Sequence, residues 1–485
     1  MIRLALLSGV ACLLCACQTT APKAPKVALP AAFEAPAASA TLTPAQLDRW
    51  WLLFNDPQLN ALEDEAFRYS PDARTAEARV IEAKATRDSQ TAQTFPTGNL
   101  AGNATHQVAY NVGSATDSLF PIGGVTDTQT ANFNVSWELD LFGRLAQARR
   151  IANADLTEAL FDIEGTRASL AASVADNYFQ ARGYAIQLQD ARETARIQTE
   201  LERVATRKAN LGLGASSDAD RVAGDLSQAQ AQVETLEAQM HVAQRQLLIL
   251  VGRAVDPTAS LPLDAEVEDP PATPAAVPGD LLARRPDIRE SEARLRVQIG
   301  TGRLRHLAIF PTFTLLPGLG LSRTTEPGVG FIPPATLIPQ EQTTSLGLWS
   351  LGVGVNVPVL DIPQLLADAK AEDARTKQAA IAYEKTVQTA FGEAESALVS
   401  LGADERAATL LKDGEVRAHR ASKSAARRYA MGLDDITAAL SAEQSWRTTR
   451  SALTAERVQA LRQAVQTYKA LGGGWAYAAL SSRTR

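Results

Sequence analysis

Along two stretches of the chain, apolar and polar residues alternate one by one. Phe133, Val135, Trp137, Leu139 and Leu141 interleave with Asn132, Asn134, Ser136, Glu138 and Asp140. Leu351, Val353, Val355, Val357 and Val359 interleave with Ser350, Gly352, Gly354, Asn356 and Pro358. A period of two sets one apolar face against one polar face, which predicts strands. Weaker alternation precedes each, at Leu100–Tyr110 and Phe313–Leu321, across glycine-containing loops (Gly113–Gly124 and Ser322–Gln342). The expectation is two hairpins of roughly ten-residue strands, spanning about 98–112, 127–141, 312–322 and 345–360.

Around these hairpins the period becomes helical. From Leu145 to Asn210 there is no proline and helix formers dominate, so one helix of about 100 Å is predicted at ~1.5 Å per residue. Alternate steps of four and three from Leu156 meet Leu160, Ile163, Arg167, Leu170, Val174, Asn177, Ala181, Tyr184, Leu188, Ala191 and Ala195, a coiled-coil seam with two polar interruptions. Leu365–Tyr429 is its counterpart, and Asp218–Val251 and Asp435–Leu471 are returning helices. Alanines in the seam permit close helix approach.

The pattern is duplicated. A shift of 215 residues aligns Pro71–Thr97 with Pro286–Thr312 at ten identities, including Phe95-Pro96-Thr97 with Phe310-Pro311-Thr312. A shift of 220 lays Gly212-Leu213 on Gly432-Leu433. Each half therefore runs helix, strands, very long helix, Gly-Leu turn, returning helix. Residues 44–255 and 279–475 form the two repeats, 256–278 a proline-rich linker between them, and 476–485 a C-terminal tail.

The N-terminus adds a cellular address. Arg3 precedes the apolar run Leu4–Leu14, too short for a spanning helix and the right size for an export signal. Leu14-Cys15-Ala16-Cys17 resembles a bacterial lipobox, which makes residues 1–16 a signal peptide and Cys17 the lipidated first residue. The alternative is an ordinary signal peptide with an incidental cysteine. Gln18 after the cysteine favours the outer membrane, by resemblance to lipoprotein sorting. Residues 17–43, rich in alanine and proline, read as an extended tether. The three cysteines all lie within the first 17 residues, so the body of the protein has no disulfide, cysteine zinc site or thiol nucleophile. A net charge of −6 gives no attraction to nucleic acid.

In an exported, lipid-anchored chain, two-faced strands near the ~9–11 residues of an outer-membrane span can turn apolar side chains to lipid and polar ones to a wet lumen. A soluble sheet on a core is the competing reading. Four strands cannot close alone, and lipid tolerates no open edge, so other chains must complete the barrel.

At this point the chain resembles the TolC-like outer-membrane efflux channels, in the branch of NodT- and OprM-type lipoproteins. The resemblance is carried by Trp50-Trp51 with Phe54 and Asp56-Pro57-Gln58-Leu59; by Trp137-Glu138-Leu139-Asp140-Leu141-Phe142-Gly143-Arg144; by Arg284-Arg285-Pro286-Asp287-Ile288-Arg289 with Glu292-Ala293-Arg294-Leu295; by Gly432-Leu433-Asp434-Asp435; and by Tyr468–Trp475. It implies a mainly α fold with a membrane β-barrel part. Long coiled-coil helices would form an α-barrel, and four strands per chain would contribute to the 12-stranded β-barrel of a homotrimer. It implies an exit duct that docks to a periplasmic adaptor and an inner-membrane transporter of the resistance-nodulation-division (RND) type. No cofactor is implied beyond the lipid on Cys17.

The resemblance places the Gly-Leu turns at a periplasmic tip closed by ion pairs and carboxylates. Asp218, with Arg221 one turn later, and Asp434 and Asp435 are the gate candidates. Their plainer role is that of helix caps and first-turn acids. Tyr110, Trp137 and Trp349 are candidate interfacial aromatics. Arg284, Arg285, Arg289 and Arg294 are expected to form structural ion pairs with Asp287, Glu290 and Glu292. Ile362-Pro363 stands where the family has Gly-Gly, so the bend between strand and helix is expected to differ there. The histidines are scattered without metal-site spacing and no nucleophile or phosphate-loop motif is present, which argues against an enzyme. Two rivals remain: a type I secretion outlet, and a non-conducting coiled-coil lipoprotein of the envelope.

Overall fold

The computed structural model of the chain describes residues 27–35, 44–109, 124–272, 278–332, 336–431, 433–434 and 436–475. Cys17, Tyr110, Gly432 and Asp435 lie outside the described residues. In chain order the elements are α1 (Pro44–Asp48), a 3-10 turn (Trp50–Phe54), α2 (Pro57–Tyr69), α3 (Pro71–Ala92), β1 (Thr97–Ala109), β2 (Gly124–Leu139), α4 (Arg144–Asn210), α5 (Ser216–Leu250), α6 (Pro278–Arg284), α7 (Pro286–Leu307), β3 (Thr312–Ile332), β4 (Thr336–Asn356), α8 (Ile362–Ala430) and α9 (Ile436–Ala470). No described helix is long and apolar enough to cross a membrane. Two compact units divide the chain, one from residues 84–155 and 295–379, the other from 27–83, 156–294 and 380–475.

The first unit holds an antiparallel sheet in the order β1-β2-β3-β4. Its register turns the sequence alternation into rows. Leu100, Phe133, Leu319 and Trp349 lie side by side, as do Trp137, Leu315 and Val353, and Leu139, Phe313 and Val355. On the other face, Asn99, Asn134, Gly318 and Ser350 form a polar row. Leu316, Leu346 and Leu348 share that polar face, which the alternation alone did not reveal.

The second hairpin corrects the sequence reading. β3 and β4 pair without a break from Thr312↔Asn356 to Ile332↔Thr336, through the stretch Ser322–Gln342 that was expected to be a loop. Backbone pairing overrides the local signal of its prolines. Pro327 lies beyond Thr325, the last β3 residue paired with β2, so its missing N–H costs no bond on that side. At Pro317 the cost is visible, because the β2–β3 ladder is interrupted between Asn134↔Gly318 and Trp137↔Leu315. β4 also stops at Asn356 rather than near 360, because Val357-Pro358 leaves the ladder.

The strand-to-helix bends of the two halves differ. In the first, Gly143 takes φ +81°, and Asp140 accepts hydrogen bonds from the N–H groups of Leu145 (2.9 Å) and Ala146 (2.8 Å). Arg144 pairs with Glu138, its Nε donating at 2.7 Å. In the second, Pro363 sits in the first turn of α8, where no helical N–H is needed, and Leu365 N–H reaches Asp361 O at 2.9 Å.

The second unit buries the coiled-coil seam. Leu156, Leu160, Ile163, Leu170, Val174, Ala181, Leu188 and Ala191 of α4 are all buried. At Gly183 a Cβ would come within 2.7 Å of Val458, so α4 and α9 pack there without room for a side chain. The main core gathers Trp50, Trp51 and Phe54 with Val174 and Tyr178 of α4, Leu247 and Leu248 of α5, and Val465 and Tyr468 of α9. Residues 27–35, expected to be free tether, instead lie on α8. Phe33 stacks on Phe391 at 5.6 Å, and Glu395 accepts hydrogen bonds from Glu34 N–H (3.1 Å) and Ala35 N–H (2.8 Å). The apolar side chains spaced among the prolines supply the contact that composition hides.

Candidate functional site: helix tips and the outward sheet face

The long helices end in two turns built alike. α4 closes on Arg207 and Lys208, α8 on Arg427 and Arg428, each placing cations at the negative end of a helix dipole. Leu213 N–H bonds Lys208 O at 2.9 Å, and Leu433 N–H bonds Arg428 O at 2.9 Å, the six-to-one bond of a Schellman cap. Gly212 supplies the left-handed residue at φ +69°. The apolar residue after such a cap commonly packs back on its helix. Here Leu211, Leu213, Met431 and Leu433 all stand exposed, so each turn offers uncovered apolar surface.

Of the charged candidates, Asp434 is engaged. Arg428 Nε and Nη2 donate to its two oxygens at 2.6 and 2.8 Å. This hydrogen bonding, with the arginine's charge, holds the Asp434 carboxyl below its ordinary range and raises Arg428. The carboxylate is therefore spent on its own turn. Asp218 lies in the first turn of α5, whose N-cap Ala215 makes no side-chain cap bond. Asp218 and Arg221 are both exposed and form no ion pair with each other among the described residues. Helical spacing put them within reach, but neither is covered enough to be fixed.

Sequence reasoning missed Lys208, Arg428 and Tyr429. Lys208 Nζ donates to Tyr429 Oη at 3.2 Å and lies 5.6 Å from the ring centroid, joining the last turns of α4 and α8. The shift of 220 that aligned the glycines also lays Lys208 on Arg428, a signal present but unread.

The apolar rows of the sheet form the second candidate surface. Trp137 stands in the second row from the α4 end, while Trp349 is two rows further along with Leu100, Phe133 and Leu319. Beyond Leu321 the same face turns polar at Gln129, Arg323 and Ser345, and then at His106 and Asp127, which pair at 2.6 Å.

The remaining motifs are structural. Asp56 caps α2 through the N–H groups of Gln58 (2.9 Å) and Leu59 (3.1 Å) and accepts from Tyr178 Oη at 2.8 Å and Arg182 at 2.5 Å. Burial, with this hydrogen bond, raises the Tyr178 phenol. Arg285, nearly buried, joins Asp287 (2.7 Å), Glu393 (2.6 Å) and the carbonyl of Ala470 (3.1 Å). Arg289 pairs with Glu292 at 2.8 Å, and Arg294 with Glu290 at 2.8 Å and Glu158 at 2.9 Å. Arg284 pairs with Asp48 at 2.7 Å. The basic run is a set of ion-pair braces.

Comparison with known proteins supplies the context. The sequence profile of the family described as "Outer membrane efflux protein" matches residues 62–253 and 277–473, one match in each half. The "Pyoverdine export outer membrane protein OpmQ" of Pseudomonas putida is 30% identical over 470 residues, covering 95% of each chain. The "Probable efflux pump outer membrane protein TtgC" of Pseudomonas putida is 27% identical over 435 residues, covering 88% of this chain and 85% of the relative. Among solved structures, the outer-membrane channel OprN superposes with a TM-score of 0.77 at 26% identity, over 94% of this chain and 99% of its own.

Proposed function

We propose, from the premise that this chain belongs to the outer membrane efflux protein family, that it forms the exit duct of a tripartite pump as a homotrimer. Its place is the outer membrane, its work is efflux, and its relatives are transport proteins rather than enzymes. The observation that carries the duct reading is the four-stranded sheet, apolar on one face and mainly polar on the other, whose outer edges on β1 and β4 are unpaired among the described residues. Lipid cannot satisfy those edges, so they must meet edges of sister chains. Because the strands alternate in direction, β4 of one copy meets β1 of the next antiparallel, and every added copy keeps the strand count even. Two copies give the smallest usual barrel of ~8 strands, and three give ~12. The choice of three follows the family.

The partners are a periplasmic adaptor and an inner-membrane transporter of the RND type. The exposed pairs Leu211/Leu213 and Met431/Leu433 support an apolar docking surface at the tips. Lipid on Cys17 adds an anchor, the Lys208–Tyr429 contact ties the two turns of a chain together, and the Arg428–Asp434 pair fixes the shape of its own turn in the closed state. The deciding experiment is single-channel recording in planar bilayers. The native protein is expected to conduct rarely, and Asp434→Ala with Asp435→Ala to conduct at least tenfold more often. Assembly without current in both proteins would defeat the duct reading. Equal current in both would leave a duct and remove these aspartates from the gate.

A further inference from the structure

We propose that the groove enclosed by α4, α5 and α9 is a binding site for a small, uncharged aromatic molecule. Its volume is about 380 Å³, within the ordinary range of small-molecule sites. Ala191 and Ile197 of α4, Ala229 and Leu236 of α5 and the indole of Trp446 on α9 line it. Leu236 and Ala191 belong to a buried apolar cluster with Leu188, so its floor is continuous with the packed interior of the coiled coil.

The charges around the groove decide the class of ligand. Asp190 is held by Arg450 at 2.6 Å, Glu443 by Arg447 at 2.9 Å, and Glu193 by Arg196 at 2.7 Å. Each charge on the rim is thus matched inside the protein, and a charged ligand would have to break one of these pairs to gain a partner. A neutral ligand breaks none and gains apolar contact. A larger cavity of the same unit differs in this respect. It encloses about 590 Å³, and beside the Asp269–Arg457 pair (3.3 Å) its wall carries Asp264, Glu266 and Glu268, an excess of negative charge.

Trp446 is fixed as the wall of the site. His419 stacks on it at 4.4 Å and 12°, its Nε1–H donates to Glu415 at 2.7 Å, and the Arg450 guanidinium lies 5.7 Å from its ring centroid. A side chain held at three points presents a preformed surface rather than one that must be ordered on binding. The alanines opposite leave the space that larger residues would fill. Because the groove touches three helices, an occupant ties α9 to the α4–α5 pair.

The test uses the assembled protein in detergent with 1-bromonaphthalene, whose bromine quenches tryptophan on contact. The Trp446 component is the fluorescence lost in Trp446→Phe. It is expected to fall by at least half along a saturating curve. Ala191→Leu with Ala229→Leu, which fills the groove, should need at least tenfold more probe, and Ala229→Leu alone should shift the curve in the same direction if the double variant does not assemble. Bromonaphthalene sulfonate should quench several-fold less at equal concentration. A linear, unsaturable decrease that is identical in native and filled proteins overturns the site, and equal quenching by the sulfonate overturns the assignment to neutral ligands.

Discussion

The same residue type has opposite surroundings in the two units. Trp50, Trp51 and Trp475 of the helical unit are 0%, 3% and 5% exposed, whereas Trp137 and Trp349 of the sheet are 41% and 76% exposed. Trp50 stacks on Tyr468 at 5.7 Å and meets Trp51 and Phe54 edge-on at 5.8 and 5.9 Å. Trp349 lies across from Leu319 in its row. The helical unit buries Trp50, Trp51 and Trp475 within a single chain; the sheet exposes its apolar residues in continuous rows that need an apolar phase from outside. That phase is the hydrocarbon of the outer membrane.

The largest way to sharpen this contrast is to truncate one tryptophan from each unit. Trp50→Ala should cost about 3–5 kcal/mol, the usual price of emptying a buried aromatic site, read as a lower denaturant midpoint for loss of helix. Trp349→Ala should leave that midpoint unchanged. Equal shifts in the two variants would mean that the sheet tryptophan is part of a folded-chain core after all.

A second test compares neighbours on opposite faces of β4. Leu351→Arg places a charge in the middle of the apolar rows and should destabilise the membrane-inserted barrel by about 2–4 kcal/mol. Ser350→Arg, one residue away on the polar face, should change it by less than about 1 kcal/mol. Heat stability of the assembled protein in lipid is the measurement. A larger loss at Ser350 would reverse the assignment of the faces.

How much of this was legible beforehand depended on whether a signal was periodic or spatial. The seam from Leu156 and the alternation at Phe133–Leu139 are repeated many times, so single exceptions such as Arg167 did not hide them. The extension of β3 through Pro327 to Ile332 was hidden because its proline and glycine signals are local, while the pairing that overrides them is long-range. At the tips, spacing identified the turns and their acids but not which acid is engaged. Among the described residues Asp434 is in an ion pair and Asp218 is not, and this depends on Arg428 lying six residues back across a cap. The stack of His419 on Trp446 joins residues 27 apart on two helices and has no sequence signature. The docking of Phe33 on Phe391 was obscured by the proline-rich composition around it.

Glu63 is an exception within the helical unit, and it supplies the smallest and most diagnostic prediction. It projects from α2 beside Leu59, Leu62 and Ala66, is fully buried, and neither carboxyl oxygen has a protein hydrogen-bond partner among the described residues. Burial, with the nearby Asp64, pushes its pKa well above the ordinary 4.5, so the folded protein keeps it protonated where the unfolded chain ionises it. Between the unfolded value and the raised folded value the native state holds the extra proton. Stability must therefore fall as pH rises through that window, by about 1.4 kcal/mol per unit for one proton, and level off above the folded value. Glu63→Leu removes both the ionisation and the unpaired oxygens. It should raise stability at pH 8 by on the order of 1–3 kcal/mol and remove this part of the decline between pH 5 and pH 8. An unchanged slope in Glu63→Leu would show that another group carries the pH dependence, and a lower stability would show that the carboxyl is satisfied by internal water.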